Sequence, residues 1–303
     1  MRQSAKAPKL RATRGCLILG TEASCDKFMY THLQLRDSAR PPVTLSTLAQ
    51  MKEKGEKIAC LTCYDASFAA LVDESDAEVA LVGDSLGMVI QGHDTTVPVT
   101  MDDIVYHCRA VARGLNRPFL MADLPFMSYP SKDQALRNAV RLMQDGGAEM
   151  VKLESGSGQT EIVEFLANHD IAVCAHLGLK PQSVHKTGGF RVQGREEAAA
   201  ERMIKDAKAL EAAGADLVLL ECIPPALGKA VTEALHVPVI GIGAGPHVDG
   251  QILVLYDVLD ITTGRKPRFV RNFMEGAGNN LQALKNYVSA VKKGEYPAPE
   301  HNF

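Results

Sequence analysis

The sequence predicts an α/β fold: a single-domain (β/α)8 TIM barrel with an N-terminal extension and a C-terminal helical tail. Three observations predict it. Short apolar runs alternate with helical patterns eight times from Lys57 onward. The runs lack polar alternation, so they read as strands buried on both faces, as in a parallel sheet. Four of them end in a carboxylate (Asp84, Asp123, Glu154, Glu221) and a fifth ends in His176. Eight strand–helix units closing on themselves fill roughly 250 residues, which spans Lys57 to about Phe273. An open doubly wound sheet is the alternative.

The elements follow in order. Residues 1–45 form an extension, and residues 46–303 the barrel domain. A short helix is expected from about Ser46 to Glu53. The eight strands are read at Lys57–Tyr64, Val79–Asp84, Phe119–Asp123, Met150–Glu154, Ala172–His176, Leu217–Glu221, Val237–Gly241 and Val258–Ile261. Thr100 with Asp103 resembles a capping box opening a helix toward Arg113, and Ser131 with Gln134 opens another. Leu136, Val140 and Met143 recur at helical spacing as an inward stripe. Met203, Ala207 and Leu210 do the same in a helix that Gly214 stops. Leu281, Leu284, Val288 and Val291 give the tail a packing face. Gly178–Arg195 is the one long connection, and long loops in compact domains are usually binding loops or lids.

Composition narrows the function. A hydrophobic fraction of 46% and a charged fraction of 23% describe a globular protein with a sizeable core. A net charge of −3 argues against a dedicated nucleic-acid or anionic-membrane surface. No apolar stretch approaches the roughly 18–20 residues of a membrane span. Seven irregularly spaced cysteines fit a reducing compartment, hence the cytoplasm. Cys60 and Cys63 lie three apart on one strand, point to opposite faces, and read as core rather than redox or zinc chemistry. Residues 1–15 are basic and free of acids. They read as an extension, with a mitochondrial transit segment as the alternative.

The acids carry the chemistry. Barrel enzymes place catalytic groups at the C-terminal ends of their strands. Carboxylates crowded there repel, so a cation must neutralise some or protons must hold them neutral. Oxygen-only donors suit a hard ion such as Mg²⁺, which names Asp84, Asp123 and Glu154 as metal ligands. Glu221, two strands beyond Glu154, is placed as a general base. Lys152 shares a strand face with Glu154 and needs an anion, either Glu154 or a substrate carboxylate. Gly241, Gly243 and Gly245 follow the seventh strand and read as letting backbone approach a ligand, phosphate being a weak option.

The stretches Leu81–Met88, Gln91–Asp94, Ala122–Met127, Val151–Glu154, Ala175–Leu179, Pro181–Ser183, Gly188–Phe190, Gln193–Arg195, Leu220–Cys222 and Gly241–Gly245 resemble the ketopantoate hydroxymethyltransferase family. The resemblance runs from about residue 46 to 303. It implies transfer of a hydroxymethyl group from 5,10-methylenetetrahydrofolate to 3-methyl-2-oxobutanoate, giving 2-dehydropantoate for pantothenate synthesis. It implies Mg²⁺ held by Asp84, Asp123 and Glu154, and the keto acid held by Asp84, Ser85, Asp123 and Lys152. Glu221 matches the proton acceptor, and a Mg²⁺-stabilised enolate is the implied intermediate. A homo-oligomer, commonly a decamer, is also implied. His176 either orients the substrate or packs as a hydrogen-bonded strand-end residue. Two other functions remain open at this point: a Mg²⁺-dependent lyase or mutase of the phosphoenolpyruvate mutase and isocitrate lyase type, and a non-catalytic keto-acid-binding barrel.

Overall fold

The computed structural model describes residues 41–303. The transit reading of residues 1–15 lies outside them, as does nearly all of the expected extension. Eight parallel strands close into a barrel in sequence order: β1 (Ile58–Thr62), β2 (Val79–Val82), β3 (Phe119–Asp123), β4 (Met150–Glu154), β5 (Val173–Gly178), β6 (Leu217–Glu221), β7 (Val239–Ile242) and β8 (Gly250–Leu253), with β8 paired to β1. Helices α1 (Leu45–Lys54), α2 (Ala66–Glu74), α3 (Leu86–Val89), α4 (Met101–Gly114), α5 (Lys132–Val140) and α6 (Thr160–Ala167) accompany the first half. Helices α7 (Val184–Thr187), α8 (Glu197–Ala212), α9 (Pro225–Ala234), α10 (Leu255–Val258) and α11 (Asn280–Lys292) accompany the second.

Strand parity separates two cores. Ile58, Cys60, Val79, Leu81, Phe119, Met121, Met150, Cys174, Leu217, Leu219, Ile240 and Ile252 fill the barrel interior. Val43, Leu48 and Met51 join that cluster, so α1 and the residues before it plug one end of the barrel. The alternate residues of each strand, such as Leu61, Ala80, Val151 and Leu220, pack outward against the helices. Cys60 and Cys63 fall in the inner and outer clusters respectively, as their spacing requires.

Several expectations hold. Thr100 and Asp103 form a reciprocal capping box at α4, and Ser131 caps α5 by accepting from the Gln134 backbone. In α11, Leu284, Val288 and Val291 are buried, and the Tyr287 hydroxyl reaches the carbonyl oxygens of Cys60 and Gln251 at 2.9 Å. Among the described residues no helix is long and apolar enough to cross a membrane.

Others are corrected. The eighth strand is Gly250–Leu253, not Val258–Ile261, which ends the short helix α10 and continues as loop. The fully buried stripe is Ala135 and Ala139 on α5 and then Leu142 in the π-helical turn Arg141–Asp145 that continues it, one position before the expected one. Leu136 and Met143 flank it, half-buried. Gly178–Arg195 is not structureless, since a 3-10 turn at Pro181–Ser183 leads into α7. Gly243 (φ +60°) and Gly245 (φ +86°) lie against protein. A Cβ on Gly243 would come within 2.8 Å of Phe303 and 2.9 Å of Phe269, and one on Gly245 within 2.6 Å of Pro225. Those glycines allow close packing of the chain at these positions.

Candidate active site

The strands aim their last inward side chains at one rim. Asp123 ends β3, Lys152 and Glu154 lie on β4, His176 on β5 and Glu221 at the end of β6, all on the parity that faces the interior. Register brings neighbours together: Asp123 pairs with Lys152, and Glu154 with His176. Asp84 and Ser85 follow β2, where the chain turns into α3. Every residue expected at the site therefore sits on this rim.

The contacts divide the acids. The Lys152 ammonium lies 2.7 Å from Asp123 Oδ1, both side chains being buried. Lysine thus takes Asp123 as its partner, rather than Glu154 or a substrate carboxylate alone. Asp123 Oδ2 accepts the backbone N–H of Asp84 at 2.9 Å. Glu154 Oε1 accepts the backbone N–H of Gln182 at 2.8 Å. The Gln182 side-chain amide donates to Asp84 Oδ2 (2.8 Å) and to the Leu124 carbonyl (3.0 Å). Its own oxygen accepts from the Tyr129 hydroxyl at 2.7 Å. Ser85 Oγ lies 2.8 Å from the hydroxyl of buried Tyr64.

His176 stands between opposite charges. Its Nδ1 is 3.4 Å from the Lys152 ammonium, and its Nε2 is 3.2 Å from Glu221 Oε2 without hydrogen-bond alignment. Burial, then the lysine charge, lowers its pKa well below the usual histidine value, so the ring is neutral. An ammonium only donates, so Nδ1 carries the lone pair and the ring proton sits on Nε2, toward Glu221.

Electrostatics follow from burial and crowding. Burial, then repulsion from Asp123, pushes Asp84 up to about 7. Burial, then Asp84, pushes Glu154 up to about 8. Burial pushes Glu221 up to about 7. Lys152 stays charged: the neighbouring Asp123 and Asp84 outweigh the desolvation that opposes them. Four carboxylates thus face one ammonium, which leaves the rim short of positive charge.

Local backbone serves these placements. Gly178, at the end of β5, has φ +93°, and a Cβ there would lie 2.2 Å from the Glu221 carbonyl oxygen. Cys222, directly after Glu221, takes φ +48°, uncommon for a side-chain-bearing residue. Among the described residues no three His, Cys, Asp or Glu side chains converge as a ready metal cage. Asp84 and Asp123 are turned to Gln182 and Lys152 instead.

Gln182, Tyr129 and Tyr64 are rim residues that the sequence reading leaves unassigned. Gln182 stands in the Pro181–Ser183 stretch, but a glutamine there carries no sequence signal of burial. Its contact with Asp84 joins positions 98 apart in the chain.

The ketopantoate hydroxymethyltransferase family model matches residues 42–299. The 3-methyl-2-oxobutanoate hydroxymethyltransferase of Alkalilimnicola ehrlichii is 58% identical over 264 residues, 87% of this chain and 95% of that protein. The protein of the same name from Nitrosococcus oceani is 58% identical over 86% of this chain and 99% of its own length. Among solved structures, a phosphonopyruvate hydrolase complex with oxalate and Mg²⁺ superposes with a TM-score of 0.54 at 14% identity, covering 69% of this chain and 80% of that one. A 2,3-dimethylmalate lyase gives 0.52 at 16%, covering 69% and 80%. These two share the barrel fold. By sequence, this chain belongs to the ketopantoate hydroxymethyltransferase family.

Proposed function

We propose that this chain transfers a hydroxymethyl group from 5,10-methylenetetrahydrofolate to 3-methyl-2-oxobutanoate, forming 2-dehydropantoate, a step of pantothenate synthesis. The observation that carries the reading is the charge balance of the rim, where Asp84, Asp123, Glu154 and Glu221 surround Lys152 and a neutral His176. The names of the relatives supply the keto acid.

Raised acid pKa values and hard oxygen donors fit a divalent cation. Asp84, Asp123 and Glu154 would hold Mg²⁺, which supplies Lewis acidity toward the keto acid's oxygens when bound. Lys152 and Ser85 hold the substrate carboxylate and so fix the face presented for reaction. Glu221 removes the proton from the tertiary carbon next to the carbonyl. A pKa near 7 suits that task, because the group is both ionised and basic at neutral pH. His176, neutral between Lys152 and Glu221, would orient the substrate. The deprotonated carbon bonds to the one-carbon unit, water supplies the product hydroxyl as the carbon–nitrogen bonds to the carrier break, and tetrahydrofolate leaves with the proton taken by Glu221 and one from water. The relatives are bacterial, which accords with a cytoplasmic setting and lends no support to the mitochondrial one. A homo-oligomer, decameric by resemblance, belongs to the same reading.

The test is product formation from 3-methyl-2-oxobutanoate and methylenetetrahydrofolate, with and without Mg²⁺. Formation that needs both the carrier and the metal is expected. Turnover of a keto acid that proceeds without any folate would assign the chain to the lyase and mutase class, and no turnover at all would leave a binding protein.

A further inference from the structure

Gln182 holds two of the acids at once. Its backbone N–H donates to Glu154 Oε1 and its side-chain amide to Asp84 Oδ2, each at 2.8 Å. Glu154 ends β4 and Asp84 follows β2, strands that are not neighbours in the barrel. A single residue of the 3-10 turn after β5 therefore spans the mouth between them. The two carboxylates repel each other, and the span opposes their separation.

The amide has one workable orientation. Asp84 Oδ2 and the Leu124 carbonyl, at 2.8 and 3.0 Å, can only accept, so they take its two N–H protons. The Tyr129 hydroxyl, 2.7 Å away, donates to its oxygen. Gln182 is buried, and every polar group of its side chain is committed. Turning the amide over would set its oxygen against two acceptors and its protons against a donor.

The oxygens of the acids are committed unequally. Asp123 gives Oδ1 to the Lys152 ammonium and Oδ2 to the Asp84 backbone N–H. Asp84 and Glu154 each give one oxygen to Gln182, and among the described residues Asp84 Oδ1 and Glu154 Oε2 take no hydrogen bond.

We propose that Gln182 is a positioning residue for the divalent cation: by engaging one oxygen each of Asp84 and Glu154, it keeps the other oxygen of each in place for the ion. This rests on the Mg²⁺ reading given above. The main chain serves Glu154 and the side chain serves Asp84, so a substitution at position 182 releases Asp84 alone. Tyr129 acts one step further back, by fixing the amide.

The test is titration of the full-length protein with Mn²⁺, a paramagnetic substitute for Mg²⁺, followed by electron paramagnetic resonance in the presence of 3-methyl-2-oxobutanoate. Gln182→Leu, similar in size but without donors, should weaken Mn²⁺ binding about tenfold. Tyr129→Phe should weaken it about threefold, as the loss of one neutral hydrogen bond would. Tyr106→Ala, an exposed aromatic on α4, should leave it unchanged. In transfer assays the loss should appear as a raised Mg²⁺ requirement with kcat at saturating metal largely kept. Mn²⁺ binding as tight in Gln182→Leu as in the wild type overturns the proposal, as does a lowered kcat at unchanged metal affinity. Should Gln182→Leu fail to fold, Tyr129→Phe decides, and wild-type Mn²⁺ affinity there overturns the proposal. No Mn²⁺ binding by the wild type is a different failure, which overturns the metal reading itself.

Discussion

Asp123 and Lys152 stand opposite each other in register on β3 and β4, their charged atoms 2.7 Å apart and nearly sealed from water. The pair anchors the rim electrostatically. Its ammonium faces the Asp84 charge as well, and it fixes the tautomer of His176 from the other side.

Removing the lysine charge should therefore cost more than one ion pair. Lys152→Met leaves buried Asp123 without its cation beside three further acids. Breaking a buried pair from one side typically costs about 3–5 kcal/mol. Urea denaturation of the metal-free protein should show a loss of that order, and a midpoint equal to that of the wild type would show that the pair is not a structural anchor.

Glu221→Gln removes the proposed base while keeping size and burial. Exchange of the tertiary hydrogen of 3-methyl-2-oxobutanoate with deuterated water should fall by about 10²–10⁴, and keto-acid binding should persist. Exchange at the wild-type rate, followed by NMR, would move the base role to another residue.

The pH dependence has a definite sign. Folded-state pKa values of about 7 for Asp84 and Glu221 and about 8 for Glu154 lie above those of unfolded acids. The native state therefore binds more protons, and the stability these groups contribute is fully present below about pH 4 and lost as pH rises through 7–8. His176 acts oppositely, costing stability as pH falls below the ordinary histidine value, because its folded form stays neutral. Between about pH 6.5 and 8 the acids of this rim dominate. The melting temperature of metal-free protein should drop across that window, and saturating Mg²⁺ should flatten the drop. A flat metal-free profile would contradict the raised values.

Gly178→Ala tests the backbone behind Glu221. The new Cβ meets the Glu221 carbonyl at 2.2 Å, on a residue held at φ +93°. Strain of this kind costs on the order of 1–3 kcal/mol, and relief requires β5 and β6 to separate at the rim. Thermal melting should register the loss, and kcat should fall more than KM rises. Wild-type stability and kcat together would show that the strand ends adjust freely.

What the sequence discloses here depends on how local the physics is. Asp84, Asp123, Glu154, His176 and Glu221 are legible because each closes a short, largely apolar run, and a buried parallel strand needs no information from elsewhere to be recognised. The eighth strand is not, for a local reason of its own. Gly250 must lack a side chain, since a Cβ would lie 2.4 Å from the Ile58 carbonyl and 2.6 Å from Ile240. Gln251 uses its amide to reach the Gly245 carbonyl at 3.0 Å. Neither looks like strand interior, whereas Val258 and Leu259 are apolar because the end of α10 and the residue that caps it are buried. Gln182 carries no such signal because its partners come from two loops distant in sequence, Asp84 after β2 and Leu124 and Tyr129 after β3. The choice of Asp123 over Glu154 as the partner of Lys152 depends on cross-strand register, which one strand's sequence does not specify.

The alternation along β4 acts as a reading frame for the chemistry. Met150, Lys152 and Glu154 face inward, while Val151 and Leu153 face the helices. One residue inserted ahead of Val151 would still give a strand of familiar hydrophobicity, with apolar groups on both sides. It would also turn the ammonium and a carboxylate into the oily layer under the helices and leave the barrel mouth lined with valine and leucine. A length change too small to alter the fold's outline would thus erase the site, so β4 tolerates substitution at its outward positions far better than any insertion or deletion.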